Sequence, residues 1–121
     1  MSKPVMSVVT LKRKRIYLTR ITITMLGNPS HLSFWYDEAN GLLYAAAAEK
    51  DELDSYEIPS FFWRASEHTN SCELCRRAFF EALQYRTGWE QGSKYSYSGQ
   101  LSERNGAAAV VFDMKAGVRA R

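Results

Sequence analysis

Cysteine, histidine and long apolar runs are all scarce in this 121-residue chain. Two cysteines cannot build a disulfide framework. No apolar run approaches the about 18 residues that a membrane helix needs. The first ten residues lack a charged start followed by a long apolar stretch, so no secretory leader is expected and the cytoplasm is the expected compartment. Two histidines leave little material for a Ser-His-acid triad, and neither stands in a nucleophile elbow or a metalloprotease helix. The seven glycines form no phosphate loop. These absences point to a non-enzymatic protein without a cofactor.

Core-forming residues are plentiful. Apolar residues make up 45% of the chain and aromatics 13%, which excludes disorder as the main state. Surface scaling for this length buries about two-thirds of the unfolded surface, enough for one core without staples. A single domain spanning 1–121 is expected.

The net charge of +3 conceals an asymmetry. Residues 1–20 carry Lys3, Lys12, Arg13, Lys14, Arg15 and Arg20 and no acid. Residues 37–57 carry seven acids and one base, Lys50. Adjacent cations in Lys12-Arg13-Lys14-Arg15 repel one another unless an anion screens them, so the run reads as a phosphate-binding patch. The competing reading is a solvated turn paired with the acids at 49–57. Those acids read as a solvated connector, because Asp51, Glu52 and Asp54 lack calcium-loop spacing and its glycine.

Along the chain, Val5 to Leu11 reads as a strand. Arg15 to Leu26 fits both a period of two and the spacing i, i+3, i+4, i+7, with Gly27 and Pro29 as a helix stop. Leu32, Phe34 and Tyr36 alternate with polar neighbours, Asp37 to Gly41 is a turn, and Leu42 to Ala48 is the return strand of a hairpin. Tyr56 to Ile58 before Pro59 is extended. Cys72, Cys75, Phe79 and Leu83 line one helical face, predicting a helix over about 71–87 that is capped by Asn70 or Ser71 and stopped by Gly88. Lys94 to Leu101 and Ala107 to Phe112 form a second hairpin around Ser102 to Gly106. Lys115 to Arg121 is a basic tail expected to fray.

The halves share an order of parts. A periodic segment ends in glycine at 27 and at 88, and an alternating strand follows. Each strand ends in a five-residue turn of pattern x-Glu-x-Asn-Gly, and an apolar strand returns. Such order predicts an α+β, β-rich domain of two pseudo-repeated helix-plus-hairpin units. Residues 1–48 form the first unit, 49–60 the acidic connector, 61–114 the second unit and 115–121 the tail. By analogy with the second unit, residues 19–26 form a short helix.

Lys12 to Leu18, Met25-Leu26-Gly27 and the 31–48 hairpin together resemble the AbrB-type DNA-binding fold, with its MraZ and SpoVT relatives. Members pack two such units, from two chains or from tandem copies, into one interlaced body. The resemblance implies an AbrB-like tandem arrangement, double-stranded DNA as partner and a homodimer. It also implies DNA contacts from Arg13, Arg15 and Arg20. With the charge run, the expected nucleic-acid-binding set is Lys12, Arg13, Lys14, Arg15 and Arg20. Leu18-Thr19 stands where the family has Ile-Pro, and the second half has no basic turn. The rival function is a protein–protein interaction or assembly module on the same scaffold, with no nucleic-acid site.

Three further features are expected to be structural. Cys72 and Cys75 form a C-x-x-C that, with His68 and His31, offers the residue types of a zinc site, but they share a face with Phe79 and Leu83 and read as core. Tyr95 and Tyr97 beside Lys94 could stack on bases, yet alternating strand tyrosines usually pack on a core. Phe61-Phe62-Trp63-Arg64 reads as a plug between the halves, the alternative being an oligomer contact.

Overall fold

Alternating buried and exposed positions shape most of the chain into strands. The structure, a computed structural model, describes residues 4–9, 15–52, 55–59, 62, 71–74, 77–104 and 106–120. β1 (Val5–Val9) pairs antiparallel with β2 (Arg15–Thr19), setting Met6 opposite Leu18 and Val8 opposite Ile16. The short helix α1 (Arg20–Met25) follows directly. Its end is built by sequence: Gly27 at φ +88° lets the Gly27 and Asn28 N–H groups reach the Thr24 and Ile23 carbonyls, at 3.0 Å each.

β3 (His31–Asp37) and β4 (Leu42–Ala48) form the expected hairpin, closed by Asp37 opposite Leu42. β5 (Tyr56–Glu57) lies on the outer edge of β3, and β6 (Ser71–Leu74) on the outer edge of β2. After α2 (Arg77–Thr87), β7 (Lys94–Arg104) and β8 (Ala107–Asp113) form the second hairpin, and β9 (Val118–Ala120) returns to β7. The order across the sheet is β5-β3-β4-β8-β7-β1-β2-β6, with β9 as a further partner of β7.

The 11-residue β7 joins the two parts of this sheet. Val5–Val9 of β1 pair with its residues 94–98, and β8 pairs with residues 99–104. Gly99 sits at the changeover, where a Cβ would lie 2.8 Å from both Phe112 and Val110. The sheet curls into a half-barrel. Its concave face carries Met6, Val8, Leu18, Leu43, Val110 and Phe112, all without exposed surface apart from traces. Phe80 and Leu83 of α2, Ile23 of α1, Phe62 and Trp89 complete that core.

This architecture corrects the expected fold class. Strand makes up 51% of the structure and helix 18%, so it is a curled antiparallel sheet and not an α+β, AbrB-like tandem of helix-plus-hairpin units. Both hairpins exist, but β4 pairs with β8 and β7 pairs with β1, so they are parts of one continuous sheet. Their turns also differ. Four residues link Asp37 to Leu42, whereas only two separate the paired Arg104 and Ala107.

The main helix begins later than expected. Residues 71–74 are β6, because Cys72 and Glu73 pair with Leu18 and Tyr17. Glu73 therefore faces Arg15 and is not part of a capping box; Asn70 lies outside the described residues. The tail does not fray over 118–120, where its backbone joins β7. The helix inferred for 19–26 is present as α1. No helix among the described residues is long and apolar enough to cross a membrane.

Candidate nucleic-acid interface

The β1–β2 pair closes at Val9 opposite Arg15. The five intervening residues contain Lys12, Arg13 and Lys14, which lie outside the described residues. Arg15 begins β2, and its guanidinium meets the Glu73 carboxylate at 2.9 Å. The Tyr17 hydroxyl donates to the same oxygen of Glu73 at 3.3 Å. The Arg15 pair is partly open to solvent, its two side chains 40% and 28% exposed.

Arg20 is placed elsewhere. It opens α1, at the opposite end of β2 from Arg15. Its guanidinium lies 4.0 Å from the Phe62 ring centroid, and Nη2 donates to the Phe62 carbonyl at 3.1 Å. The structure therefore does not bring Arg20 and Arg15 together.

One cation outside the basic run shares a cross-strand row with Arg15. Lys94, exposed at the start of β7, pairs with Val9, the residue opposite Arg15. Arg119 lies on β9 opposite Tyr95, one position along from Lys94 and so on the other face of the sheet from Lys94 and Arg15. Its guanidinium meets Glu90 at 2.7 Å and Ser93 Oγ at 3.0 Å. In sequence Lys94 stands out only as the neighbour of Tyr95 and Tyr97, and Arg119 only as part of the basic tail.

The acidic connector lies apart from this basic end. β4 runs toward the β7–β8 turn, with Ala46 opposite Ala109 and Ala109 opposite Ser102. Glu49, Asp51 and Glu52 follow it there, and Glu57 lies in the edge strand β5. Lys94 begins β7 at its other end, on the order of 30 Å away along the strand. Glu49 N–H donates to Glu52 at 3.0 Å, which turns this segment on itself. Asp54 lies outside the described residues.

No family model, curated protein or solved structure matches the chain. The site is therefore read from its own residues.

The other sequence features divide between core and undescribed segments. Cys72 is buried opposite Leu18, with Sγ 3.8 Å from the Glu73 carbonyl, while Cys75 and His68 lie outside the described residues. His31 is on β3, hydrogen-bonded to Ser30 Oγ at 2.9 Å. Among the described residues no group of three or more metal-ligating side chains occurs. Tyr97 is buried and Tyr95 half-buried, so neither hydroxyl-bearing ring stands free on the surface. The Tyr95 hydroxyl accepts the Glu90 N–H at 2.8 Å. Phe62 plugs the core, and Phe61, Trp63 and Arg64 lie outside the described residues.

Proposed function

We propose that this chain binds double-stranded DNA through the basic end of its sheet, as a non-enzymatic, regulator-like protein of the cytoplasm. One observation carries the reading. Strand pairing sets Arg15 and Lys94 on either side of Val9 in one cross-strand row, with Lys12, Arg13 and Lys14 next to Arg15 in sequence. A cluster of this kind contacts phosphates without reading bases, which fixes position on the duplex and not sequence. The ion pair Arg15–Glu73 does not oppose it strongly. Such a partly exposed pair is worth about 0–1 kcal/mol.

The test is fluorescence anisotropy on a random-sequence duplex at two salt concentrations. If Lys12, Arg13, Lys14, Arg15 and Lys94 meet phosphates, the log-log salt slope is about −4.5. Raising salt from about 50 to about 200 mM then weakens binding roughly 500-fold. Neutralising K12Q/R13Q/K14Q should reduce the slope by about 2.7, and K94Q alone by about 0.9. R20Q should leave it unchanged, given its place beside Phe62. Equal affinity and slope in K12Q/R13Q/K14Q, with its melting curve unaltered, would overturn the reading.

A further inference from the structure

The outer face of the sheet carries a second arrangement, far from the basic end. Trp35 and Tyr44 stand directly opposite each other on β3 and β4. Their rings are parallel to within 6°, with centroids 5.2 Å apart. The Arg104 guanidinium lies 3.8 Å from the Trp35 ring centroid. Arg104 belongs to β7, and two strands, β8 and β4, separate it from β3. On the face between them Ala46 and Ala109 are opposite each other, small enough for a long side chain to lie across. Asp37 and Glu103 join these three residues around a recess of about 320 Å³.

The Asp37 carboxylate is available to a ligand. Asp37 is held in place by Asn40, whose side-chain amide donates to Oδ2 at 2.8 Å and whose backbone N–H donates to Oδ1 at 3.3 Å. Those bonds hold its carboxyl below the usual carboxylate range, so it is charged at neutral pH. Each oxygen retains acceptor capacity. Glu103 makes no ion pair with any described residue, and neither does Arg104. What holds Arg104 in the recess is the indole face.

We infer that this recess is a receptor for an arginine side chain on a basic peptide segment of a partner, and that Arg104 occupies it as an internal stand-in. A guanidinium stacks on an indole through its flat face and leaves its edges free to meet carboxylates. Trp35 and Asp37 supply that pair of demands. With Arg104 swung out to solvent, the recess carries the negative charge of Asp37, which repels phosphates and excludes nucleic acid as its occupant. An ammonium lacks the planar match. Arg104 competes as a tethered ligand at an effective concentration in the millimolar range or above, so a partner's arginine must displace it. The inference is independent of the DNA-binding reading.

The experiment uses the full chain and the probe N-acetyl-arginine N-methylamide, followed by NMR through the Trp35 indole N–H, assigned with W35F. R104A should show a saturable shift of that signal and bind the probe at least roughly ten-fold more tightly than the unaltered chain, because the tethered competitor is gone. W35A/R104A and D37N/R104A should each weaken binding, read for the former on the Asp37 and Tyr44 amide signals. The lysine analogue should bind less well. R104Q gives the same reading should alanine disturb the hairpin. No saturable shift in either Arg104 variant would overturn the inference. Equal shifts with methyl glucoside or adenosine monophosphate, or equal binding by the unaltered chain and R104A, would do so as well.

Discussion

Phe112 stands opposite Gly99 in the β7–β8 pair, and its ring fills the space that a side chain at 99 would need. Gly99 also donates its N–H to the Pro4 carbonyl at 2.7 Å, so the same residue ties β7 to the start of β1. The close approach and the changeover of strand partners thus occur at one position. Adding a methyl group there forces Phe112 or Val110, both without exposed surface, off their packed positions. G99A should cost about 1–3 kcal/mol, seen as a lower urea midpoint. F112L in the G99A background should recover part of the loss, because the two sites share one space.

The Trp89 indole N–H donates to the Tyr97 hydroxyl inside the core. Y97F removes the acceptor and leaves a buried donor unpaired, a loss of about 1–3 kcal/mol in denaturant titration. Burial, the largest cause, pushes the Tyr97 phenol above its ordinary value of 10.0, outweighing the opposing hydrogen bond from Trp89. The raised value favours the neutral phenol in the fold. Its contribution is therefore complete below a pH of about 10 and is lost as pH rises through the folded-state value. Denaturation midpoints of the unaltered chain and Y97F should converge as the solution becomes more alkaline. A gap that stays constant across that range would show that Tyr97 does not ionise there.

Thr22, buried in α1, ties the helix to the first strand. Its hydroxyl accepts the Val5 N–H at 3.1 Å and lies 2.9 Å from Thr19 Oγ1, which accepts the same N–H at 3.3 Å. Because the two hydroxyls share one donor, either alone can keep it satisfied. T22V should cost about 1 kcal/mol, and T19A less. The double variant should lose more than the sum of the two, since only then is Val5 N–H left without a side-chain acceptor. Chemical denaturation of the three variants closes the cycle.

Local pattern made much of the secondary structure legible. Leu32, Phe34 and Tyr36 alternate with period two, and their partners Ala47, Ala45 and Leu43 face them in the register that the turn at 38–41 imposes. The helix at 20–25 is reached by analogy with the segment that ends at Gly88, although the two units are not the tandem repeat that the analogy assumes; Gly27 builds its end. Ser71 to Leu74 misled because Cys72 also fits the helical face of Phe79 and Leu83. Pairing with β2, over fifty residues earlier in the chain, decided its conformation.

The candidate interface divides in the same way. Lys12 to Arg15 were legible as a charge run, because four adjacent cations are conspicuous without any fold. Arg20 looked like part of the patch through nearness in sequence, but β2 carries it to the other end of a strand. Lys94 joined the row of Arg15 only through the pairing of β7 with β1.

By itself, then, the sequence determined the two hairpins, the stop of α1 and the separation of basic from acidic segments. Those features follow from alternation, turn residues and charge within short windows, where steric and hydrophobic preferences act between near neighbours. Only the tertiary structure decided that the hairpins merge through β4 and β8 and that β7 serves two partners. It also decided that Arg104 reaches Trp35 across two strands. Those outcomes depend on backbone hydrogen bonds and core packing between residues far apart in the chain. No short window carries the energy that selects among the alternative pairings.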